Sequence, residues 1–411
     1  MITGQDLVEW QLRIASGEEL PIKDQSMIPC IGHAMEARIY AENPAKDFLP
    51  VTGNVWHHSP PVPANLGGDT VRVDTGIEAG DNISVYYDPM VSKLIVHGRT
   101  REEARKRLID SLKNYQIAGV PSNIPFLIKC AQHPVFAEAG AINTGFLEEY
   151  ADDVKIDASI GPVEQAVCAL VASLALENRV AKNTSNAVKQ TLGPWSNSCG
   201  SWRLGMKHQR LLKPVNDTAF DGELPGITCT CNRDGSFDMT IVTEEGVKTL
   251  AIDGIFDQNN QLQVVVDKSK RRSFTAIPKM DKEAGTIAVN IWPTDSICFE
   301  TEGAVSMVFE HPLYSNLDRF TSTSSNEGCG SVNVRAPMPG KIARINFKEG
   351  DSVNESDVLI VMESMKMEHA VVANMAGFVS QLYCSVGDIV NDSDVLAVVA
   401  EEGDESKIAS S

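Results

Sequence analysis

A stretch of twenty residues occurs twice near the end of this chain of 411 residues. Residues 340–359 match residues 377–396 at nine of the twenty positions, and the shared letters include G-D-x-V-N-x-S-D-V-L. A supersecondary unit that recurs at a fixed spacing predicts superposable copies that bury a common core. The repeat therefore predicts two half-units of one small, quasi-symmetric β domain, and draws attention to whatever lies between them.

The insert between the two copies reads V-M-E-S-M-K-M-E-H. Strands are expected to end near Met362 and to resume near Ala370, which places Lys366 at the tip of the hairpin that joins the half-units. Its ammonium is expected to be exposed between the thioethers of Met365 and Met367. An isolated surface lysine is ordinarily a solvated charge. The symmetry of the flanking halves favours a functional role instead, because this lysine stands on the one insert that is not repeated.

The first 150 residues mix helical and strand patterns. Apolar positions at helical spacing predict helices over residues 7–15 and 101–115. Short strand-like runs, broken by turn residues, make up much of the remainder: 32–40, 71–73, 83–87 and 92–97. This pattern predicts an α+β domain with an antiparallel sheet.

The next region reads as one helix followed by strands. A Gly-Pro pair at 161–162 opens an apolar helical stretch over 163–180, since proline is tolerated in the first turn of a helix. Its expected apolar face consists of Val167, Leu170, Val171, Leu174 and Leu176. Hairpin signals at 232–235 and 258–261 separate alternating runs within 195–312. One helix followed by many antiparallel strands predicts a barrel or sandwich wrapped on that helix.

A stretch rich in Ser, Thr, Asn and Gly, without an apolar stripe, predicts a linker over residues 315–333. The expected organisation is therefore three domains, a linker and a tail: 1–150, 151–314, 315–333 (linker), 334–402 and 403–411 (tail).

The charge balance and apolar content exclude several classes of function. The chain has 36 Lys and Arg against 55 Asp and Glu, a formal net charge of −19. This charge repels phosphate backbones and anionic lipid, so no nucleic-acid partner is expected. The longest nearly apolar run, 166–176, is too short to span a bilayer. The first residues show neither a secretory signal nor a transit sequence.

Cysteine and histidine patterns predict no metal site. The nine cysteines are scattered and include no C-x-x-C pair, which favours reduced thiols. His57 and His58 have no Cys or carboxylate at ligand spacing beside them, so a loop is expected there. His369 is likewise expected at the surface.

The Met-Lys-Met hairpin between two G-D-x-V motifs, preceded by A-P-M-P-G at 336–340, resembles the biotinyl carrier domain of biotin-dependent carboxylases. The resemblance implies a flattened β-barrel of the biotinyl/lipoyl type, with biotin joined to Lys366 by an amide. It also implies that Met365 and Met367 are recognised by the biotin protein ligase. Lipoyl domains share this fold, but their lysine usually follows Asp, so the methionines favour biotin.

A second motif, G-H-A-M-E-A-R-I-Y-A-E-N-P at 32–44, resembles the C-terminal lobe of biotin carboxylase, as does Y-Y-D-P-M at 86–90. Along a strand, Glu36, Arg38 and Tyr40 share one face. Without a family, an ordinary surface Glu/Arg pair is the favoured interpretation. The resemblance instead implies that Arg38 is catalytic and stabilises the biotin enolate; a guanidinium stays charged at any working pH and offers a fixed fork of donors.

The ATP-binding half of biotin carboxylase has no counterpart in this sequence, which shows neither G-x-G-x-x-G nor G-x-x-x-x-G-K-[ST]. The family uses ATP and Mg²⁺, and the residues that bind them are expected mostly upstream of residue 1. The resemblance therefore implies that this chain is the downstream part of a longer subunit and that the chain alone does not activate bicarbonate.

Three further motifs, F-L-P-V-T-G at 48–53, H-P-V-F at 133–136 and M-K-M-E-H at 365–369, resemble the methylcrotonyl-CoA carboxylase branch of the family, which acts in leucine catabolism. A propionyl-CoA or other acyl-CoA carboxylase is the alternative within the family, since the partner subunit selects the acyl-CoA. Outside it, the alternatives are a non-catalytic biotinyl or lipoyl carrier and a structural β-rich binding protein.

The resemblance also implies partners and a compartment. The middle region is expected to be a helix-in-barrel domain that docks a carboxyltransferase (beta) subunit, giving a hetero-oligomer. The family's eukaryotic members are mitochondrial, whereas a bacterial protein would be cytoplasmic.

Overall fold

A computed structural model gives the fold. It describes residues 1–61, 70–138, 140, 142–156, 160–176, 208–215, 226–232, 236–243, 246–256, 261–266, 271–281, 284–293, 305–310, 331–365, 367–391 and 394–400. Three large hydrophobic clusters lie within these residues, and each belongs mainly to one group of elements, called below the lobe (1–156), the barrel (160–310) and the carrier (331–400).

The lobe is built on an antiparallel sheet in the order β1-β8-β6, with helices packed against it. Its elements are α1 (Leu7–Ala15), β1 (His33–Tyr40), β2 (Glu42–Asn43), β3 (Leu49–Pro50), β4 (Gly53–Asn54), β5 (His57–Ser59), β6 (Val71–Thr75), β7 (Asn82–Ile83), β8 (Met90–Gly98), α2 (Arg101–Lys113), β9 (Gln116–Ala118), α3 (Ile124–Gln132), α4 (Pro134–Ala137), α5 (Phe146–Glu149) and α6 (Ala151–Val154). Short 3₁₀ turns occur at Gln25–Met27 and Pro44–Lys46. The α+β prediction is confirmed.

Periodicity explains the main lobe elements. Along β1, buried and exposed residues alternate, so Glu36 and Arg38 face solvent while the residues between them enter the core. Helix α2 begins where the Thr100 side chain accepts the N–H of Glu103, and it buries Ala104 and other apolar residues of one stripe.

Two expectations for the lobe are wrong. Of the strand predicted over 83–87 only Ile83 lies in a strand, β7, because the chain turns at residues 85–87 and the Val85 carbonyl accepts the N–H of Met365 rather than a ladder bond. The loop predicted at His57 and His58 is the short strand β5, which pairs with β9. His58 lies 2.7 Å from the buried Tyr115 hydroxyl, an attachment between distant residues that local spacing does not reveal.

The barrel is an eight-stranded antiparallel meander in sequential order. Its strands are β10 (His208–Leu212), β11 (Ile227–Cys231), β12 (Phe237–Thr243), β13 (Gly246–Phe256), β14 (Gln261–Val266), β15 (Arg271–Asp281), β16 (Thr286–Pro293) and β17 (Val305–Glu310). The sheet closes on itself: Glu310 donates its N–H to the carbonyl of Lys213, and Val215 donates to the carbonyl of Val308, both at 2.8 Å. Both predicted hairpins are found, β11–β12 and β13–β14. The strand pattern expected over 195–207 lies outside the described residues.

Helix α7 (Pro162–Leu176) fills this barrel. Residues 166–172 are each 0% exposed, and the helix contacts β11, β12, β13, β15, β16 and β17. The helix-in-barrel architecture is therefore confirmed. The expected apolar face of the helix is buried, but its other sides are buried as well, because sheet surrounds it. The last residues of the predicted helix, 177–180, lie outside the described residues.

The carrier consists of two four-stranded antiparallel sheets, β18-β25-β23-β20 and β22-β21-β19-β24. The strands are β18 (Ser331–Arg335), β19 (Gly340–Ile345), β20 (Ser352–Val353), β21 (Val358–Ser364), β22 (Met367–Val372), β23 (Gly377–Leu382), β24 (Ile389–Val390) and β25 (Val395–Ala400). Strand β18 thus begins inside the predicted linker; residues 311–330 and the tail lie outside the described residues.

The sequence repeat is visible as repeated turn chemistry. Asp351 accepts the N–H of Lys348, and its repeat partner Asp388 accepts the N–H of Ser385, both at 2.8 Å. The two half-units also exchange strands, because β24 of the second pairs with β19 of the first and β20 of the first pairs with β23 of the second. The quasi-symmetric β domain is confirmed.

The lobe and the barrel also touch. The ammonium of Lys279 on β15 lies 5.5 Å from the ring centre of Trp56, and the ring centres of His57 and Trp292 are 5.4 Å apart. The lobe therefore contacts the barrel through aromatic side chains.

Candidate functional site

The hairpin between the half-units is tighter than the sequence predicts. Strands β21 and β22 pair through to Ser364 and Met367, so only Met365 and Lys366 remain for the turn. Lys366 itself, and the side chain of Met367, lie outside the described residues. Met365 and the backbone of Met367, on either side of it, lie at the end of a two-stranded projection from the carrier.

Ser364 ties this hairpin to the A-P-M-P-G segment. Its side chain is buried, and its hydroxyl donates to the carbonyl of Pro339 at 2.8 Å. A buried hydroxyl needs such a partner. Gly340 permits the approach, because a Cβ there would lie 3.0 Å from the carbonyl oxygen of Glu363. Ser364 is thus both buried and hydrogen-bonded.

Met365 lies against the lobe. It adopts a left-handed backbone with φ of 50°, and its N–H donates to the carbonyl of Val85 at 2.9 Å. The residue is only 4% exposed, and it belongs to the hydrophobic cluster of the lobe rather than to that of the carrier. The structure therefore brings the lysine-bearing hairpin to the loop between β7 and β8.

Arg38 stands on the exposed face of β1. Its Nε lies 3.3 Å from Oε1 of Glu36, and its side chain is 58% exposed. Hydrogen bonds to Tyr40 and then to Glu36 raise the pKa of the guanidinium above its ordinary value. The shared face of these three residues is confirmed, and the arginine keeps its charge at any working pH.

Charges continue across the sheet from Arg38. Lys93 on β8 is its register partner, and Asp74 on β6 is the register partner of Lys93. Asp74 in turn accepts a 2.7 Å bond from Nε of Arg72. A carboxylate or other anion that approached this face would meet the cationic side chains of Arg38, Lys93 and Arg72. The carboxylates of Glu36 and Asp74 lie beside them.

Asn123 holds the backbone beneath Arg38, and sequence reasoning missed it. This buried side chain donates from Nδ2 to the carbonyl of Arg38 at 3.1 Å and accepts the N–H of Tyr40 at Oδ1 at 3.0 Å. The available signal was an Asn just before the start of α3, which suggests a helix cap; in fact its side chain makes no capping bond to the helix. Burial raises the pKa of the nearby Glu42 carboxyl, an effect that a hydrogen bond to Asn123 opposes.

The hairpin and the Arg38 strand meet the same loop. Residues 84–89 hold Val85, which accepts from Met365, and Pro89, whose carbonyl accepts the N–H of Ala41 just past β1 at 2.9 Å. One short loop therefore links the end of β1 to the tip of the carrier.

Other chemistry is sparse in the described part of the chain. Its residues contain no group of three or more His, Cys, Asp or Glu arranged to hold a metal ion, and none of its helices is long and apolar enough to cross a membrane. The six cysteines within it are free thiols. Burial raises the pKa of the Cys130 thiol to about 11, which keeps it protonated.

Comparisons with known proteins match both parts of this site. Residues 36–149 match the family model of the biotin carboxylase C-terminal domain, and residues 332–399 match that of the biotin-requiring enzymes. The biotin carboxylase domain of the 2-oxoglutarate carboxylase of Hydrogenobacter thermophilus is 37% identical over 38% of this chain and 33% of that one, with a TM-score of 0.35. The two family models assign residues 36–149 to a biotin carboxylase C-terminal domain and residues 332–399 to a biotinyl domain, the kind of domain that carries covalent biotin.

Whole-chain relatives are the alpha subunits of acyl-CoA carboxylases. The mitochondrial methylcrotonoyl-CoA carboxylase subunit alpha of Rattus norvegicus is 35% identical over 381 residues, 91% of this chain and 48% of that protein. The Oryza sativa protein of the same name is 35% identical over 92% of this chain and 50% of that protein, and the human propionyl-CoA carboxylase alpha chain is 32% identical over 90% and 46%. This chain is related to the C-terminal part of those subunits and spans about half of their length.

Proposed function

We propose that this chain is part of the biotin-bearing subunit of an acyl-CoA carboxylase, with biotin on Lys366 and Arg38 as a catalytic residue. The observation that carries the proposal is the position of the Met-Lys-Met hairpin, which joins two symmetric half-units and meets the lobe at Val85. Met365, the residue before Lys366, thus contacts the domain that bears Arg38.

The hairpin fits covalent biotin. The turn is short, its strands are paired to the last residue, and the Ser364 hydroxyl fixes its base against Pro339. When bound, biotin supplies a ureido nitrogen that accepts a carboxyl group. Met365 and Met367, on either side of the lysine, are proposed as the residues that the biotin protein ligase recognises.

The residues around Arg38 suit stabilisation of a developing oxyanion. The guanidinium offers several N–H donors on an exposed face, while Glu36 and Tyr40 limit its orientation. Asn123 keeps the strand beneath it in place through two bonds to main-chain atoms. These residues hold donors ready before an anion arrives, which is the source of most such stabilisation.

A methylcrotonyl-CoA carboxylase, acting in leucine catabolism, is the proposed identity within the class. It is supported by 35% identity to such alpha subunits, against 32% for propionyl-CoA carboxylase alpha chains, which remain the alternative. By the same relationship we propose a carboxyltransferase (beta) subunit as partner, with acyl-CoA bound on that subunit and the barrel as the domain that docks it. ATP and Mg²⁺ are proposed to be bound by residues outside this chain. A mitochondrial matrix location follows for a eukaryotic source.

A carboxylation assay in trans tests this function. The chain is first treated with biotin ligase and then incubated with a separate biotin carboxylase, labelled bicarbonate, ATP and Mg²⁺. Label is expected on the chain and not on a Lys366→Arg variant. A biotinylated chain that never accepts label would favour the carrier or scaffold alternative. Copurification with a carboxyltransferase subunit separates a part of the enzyme from a free-standing carrier.

A further inference from the structure

Met365, in the turn of the carrier hairpin, is covered by another part of the chain. Residue 365 is one of two turn residues and has no cross-strand neighbour of its own, yet it is 4% exposed. Glu363 and Glu368, the adjacent pair on the same hairpin, are exposed. The cover over Met365 therefore comes from the lobe, to whose hydrophobic cluster it belongs.

Two methionines three residues apart serve different cores. Met362 is 0% exposed and lies in the hydrophobic cluster of the carrier, where it helps to hold the domain together. Met365 contributes nothing to that cluster. Its burial is thus a property of the contact between the carrier and the lobe and not of carrier folding.

The partner surface is the loop 84–89 between β7 and β8. It offers the Val85 carbonyl as a main-chain acceptor for the Met365 N–H at 2.9 Å. A main-chain bond fixes the position of the hairpin without requiring particular side chains. The long, unbranched thioether of Met365 packs with the apolar residues of the lobe cluster, since such a side chain adapts to irregular surroundings. Tyr86 and Tyr87, which follow Val85, remain 61% and 74% exposed.

We propose that loop 84–89 is a docking seat for the carrier hairpin, with Met365 as its anchor, and that the docked hairpin is withheld from the ligase that modifies Lys366. The second part rests on the proposed function. The side chain of Met365, which is 4% exposed in the docked hairpin, cannot contact a second protein at the same time. Docking on the lobe and recognition by the ligase therefore compete for one methionine, and biotin is added to the released carrier.

A disulfide trap tests the seat without reference to biotin. The bond from the Met365 N–H to the Val85 carbonyl at 2.9 Å brings the two residues close enough for a disulfide, whose Cα atoms usually lie about 4.4–6.8 Å apart. In the full chain with the exposed Cys30 changed to Ser, Val85→Cys combined with Met365→Cys is expected to cross-link under mild oxidation. The control is Val85→Cys combined with Val372→Cys, since Val372 lies on strand β22 of the same hairpin but away from the seat. No cross-link in the first pair, or equal cross-linking in both, overturns the seat.

A ligase assay tests the competition with Met365 left in place. Val85→Lys sets a charge in the seat and is expected to raise the initial rate of biotin addition to the full chain by about threefold or more, since the rate follows the released fraction. Val247→Lys, on an exposed barrel position, is the control, and both variants must keep the thermal midpoint of the parent chain. An unchanged or lower rate overturns the competition. If none of the chains takes biotin on Lys366, the proposed function fails, while the disulfide trap still decides the seat.

Discussion

The side-chain amide of Asn123 donates to the main-chain carbonyl of Arg38 at 3.1 Å, across 85 positions of sequence. The same side chain accepts the N–H of Tyr40. One buried residue at the start of α3 thereby fixes the strand that carries the proposed catalytic arginine.

Asn123→Ala is expected to lower the free energy of unfolding of the lobe by about 1–3 kcal/mol, because buried main-chain groups at Arg38 and Tyr40 lose their partners. Denaturant unfolding of the full chain measures this change. Asn114→Ala provides the control: Asn114 is exposed and donates to a helix carbonyl, so its replacement is expected to change stability by no more than about 0.5 kcal/mol. Equal effects of the two substitutions would refute the bracing role of Asn123.

Arg38→Lys is expected to slow biotin-dependent ATP hydrolysis about 10²–10³-fold in the complete subunit, because one fixed set of oxyanion donors is lost. The fold is expected to be unaffected, since the side chain is 58% exposed. Arg72→Lys is a matched control on the same sheet: Arg72 is 64% exposed and pairs with Asp74 as Arg38 pairs with Glu36. Similar rates for both variants would remove Arg38 from the mechanism.

Glu42 is expected to make the lobe less stable as the pH rises. Burial raises the pKa of its carboxyl, so the folded state favours the protonated form; its stabilising contribution is complete below the unfolded pKa and is lost as the pH rises through the folded pKa. Glu42→Gln is therefore expected to be more stable than the parent chain at pH 7 and to match it near pH 3.

Glu102 gives the opposite sign and serves as the comparison. Hydrogen bonding to Arg105 lowers the pKa of its carboxyl to about 2, so its contribution is present above the unfolded pKa and is lost as the pH falls toward 2. Glu102→Gln is expected to be less stable than the parent chain at pH 7, with the difference fading in acid. Unfolding curves at several pH values distinguish the two cases; the same sign for both variants would contradict this assignment.

Gly377→Ala is expected to destabilise the carrier by about 1–3 kcal/mol, because strain in a packed interior costs that much. A Cβ at Gly377 would lie 2.2 Å from the carbonyl oxygen of Ala400, a main-chain atom that cannot move freely. Gly340→Ala, at the equivalent position of the first half-unit, meets the Glu363 carbonyl only at 3.0 Å and is expected to cost less. Thermal unfolding ranks the two, and the reverse order would contradict the packing described for β23 and β25.

The sequence predicts most of the carrier and less of the site. The repeat of twenty residues can be recognised in the sequence because each half-unit needs the same turn residues. Asp351 and Asp388 make equivalent turn bonds in the two copies. The apolar face expected on α7 is buried but too narrow, because a helix enclosed by a barrel has no solvent side. Two contacts could not be predicted: the bond from Asn123 to Arg38 and the bond from Met365 to Val85. Both join residues far apart in sequence, and the second joins the carrier to the lobe.

Whether Lys366 carries biotin is decided by the intact mass of the chain after incubation with biotin ligase, ATP and biotin. We expect a single biotin adduct on the parent chain and none on Lys366→Arg, whereas Lys341→Arg, on the neighbouring strand β19, is expected to be modified like the parent. An unmodified parent chain, or an adduct that persists in Lys366→Arg, would contradict this expectation.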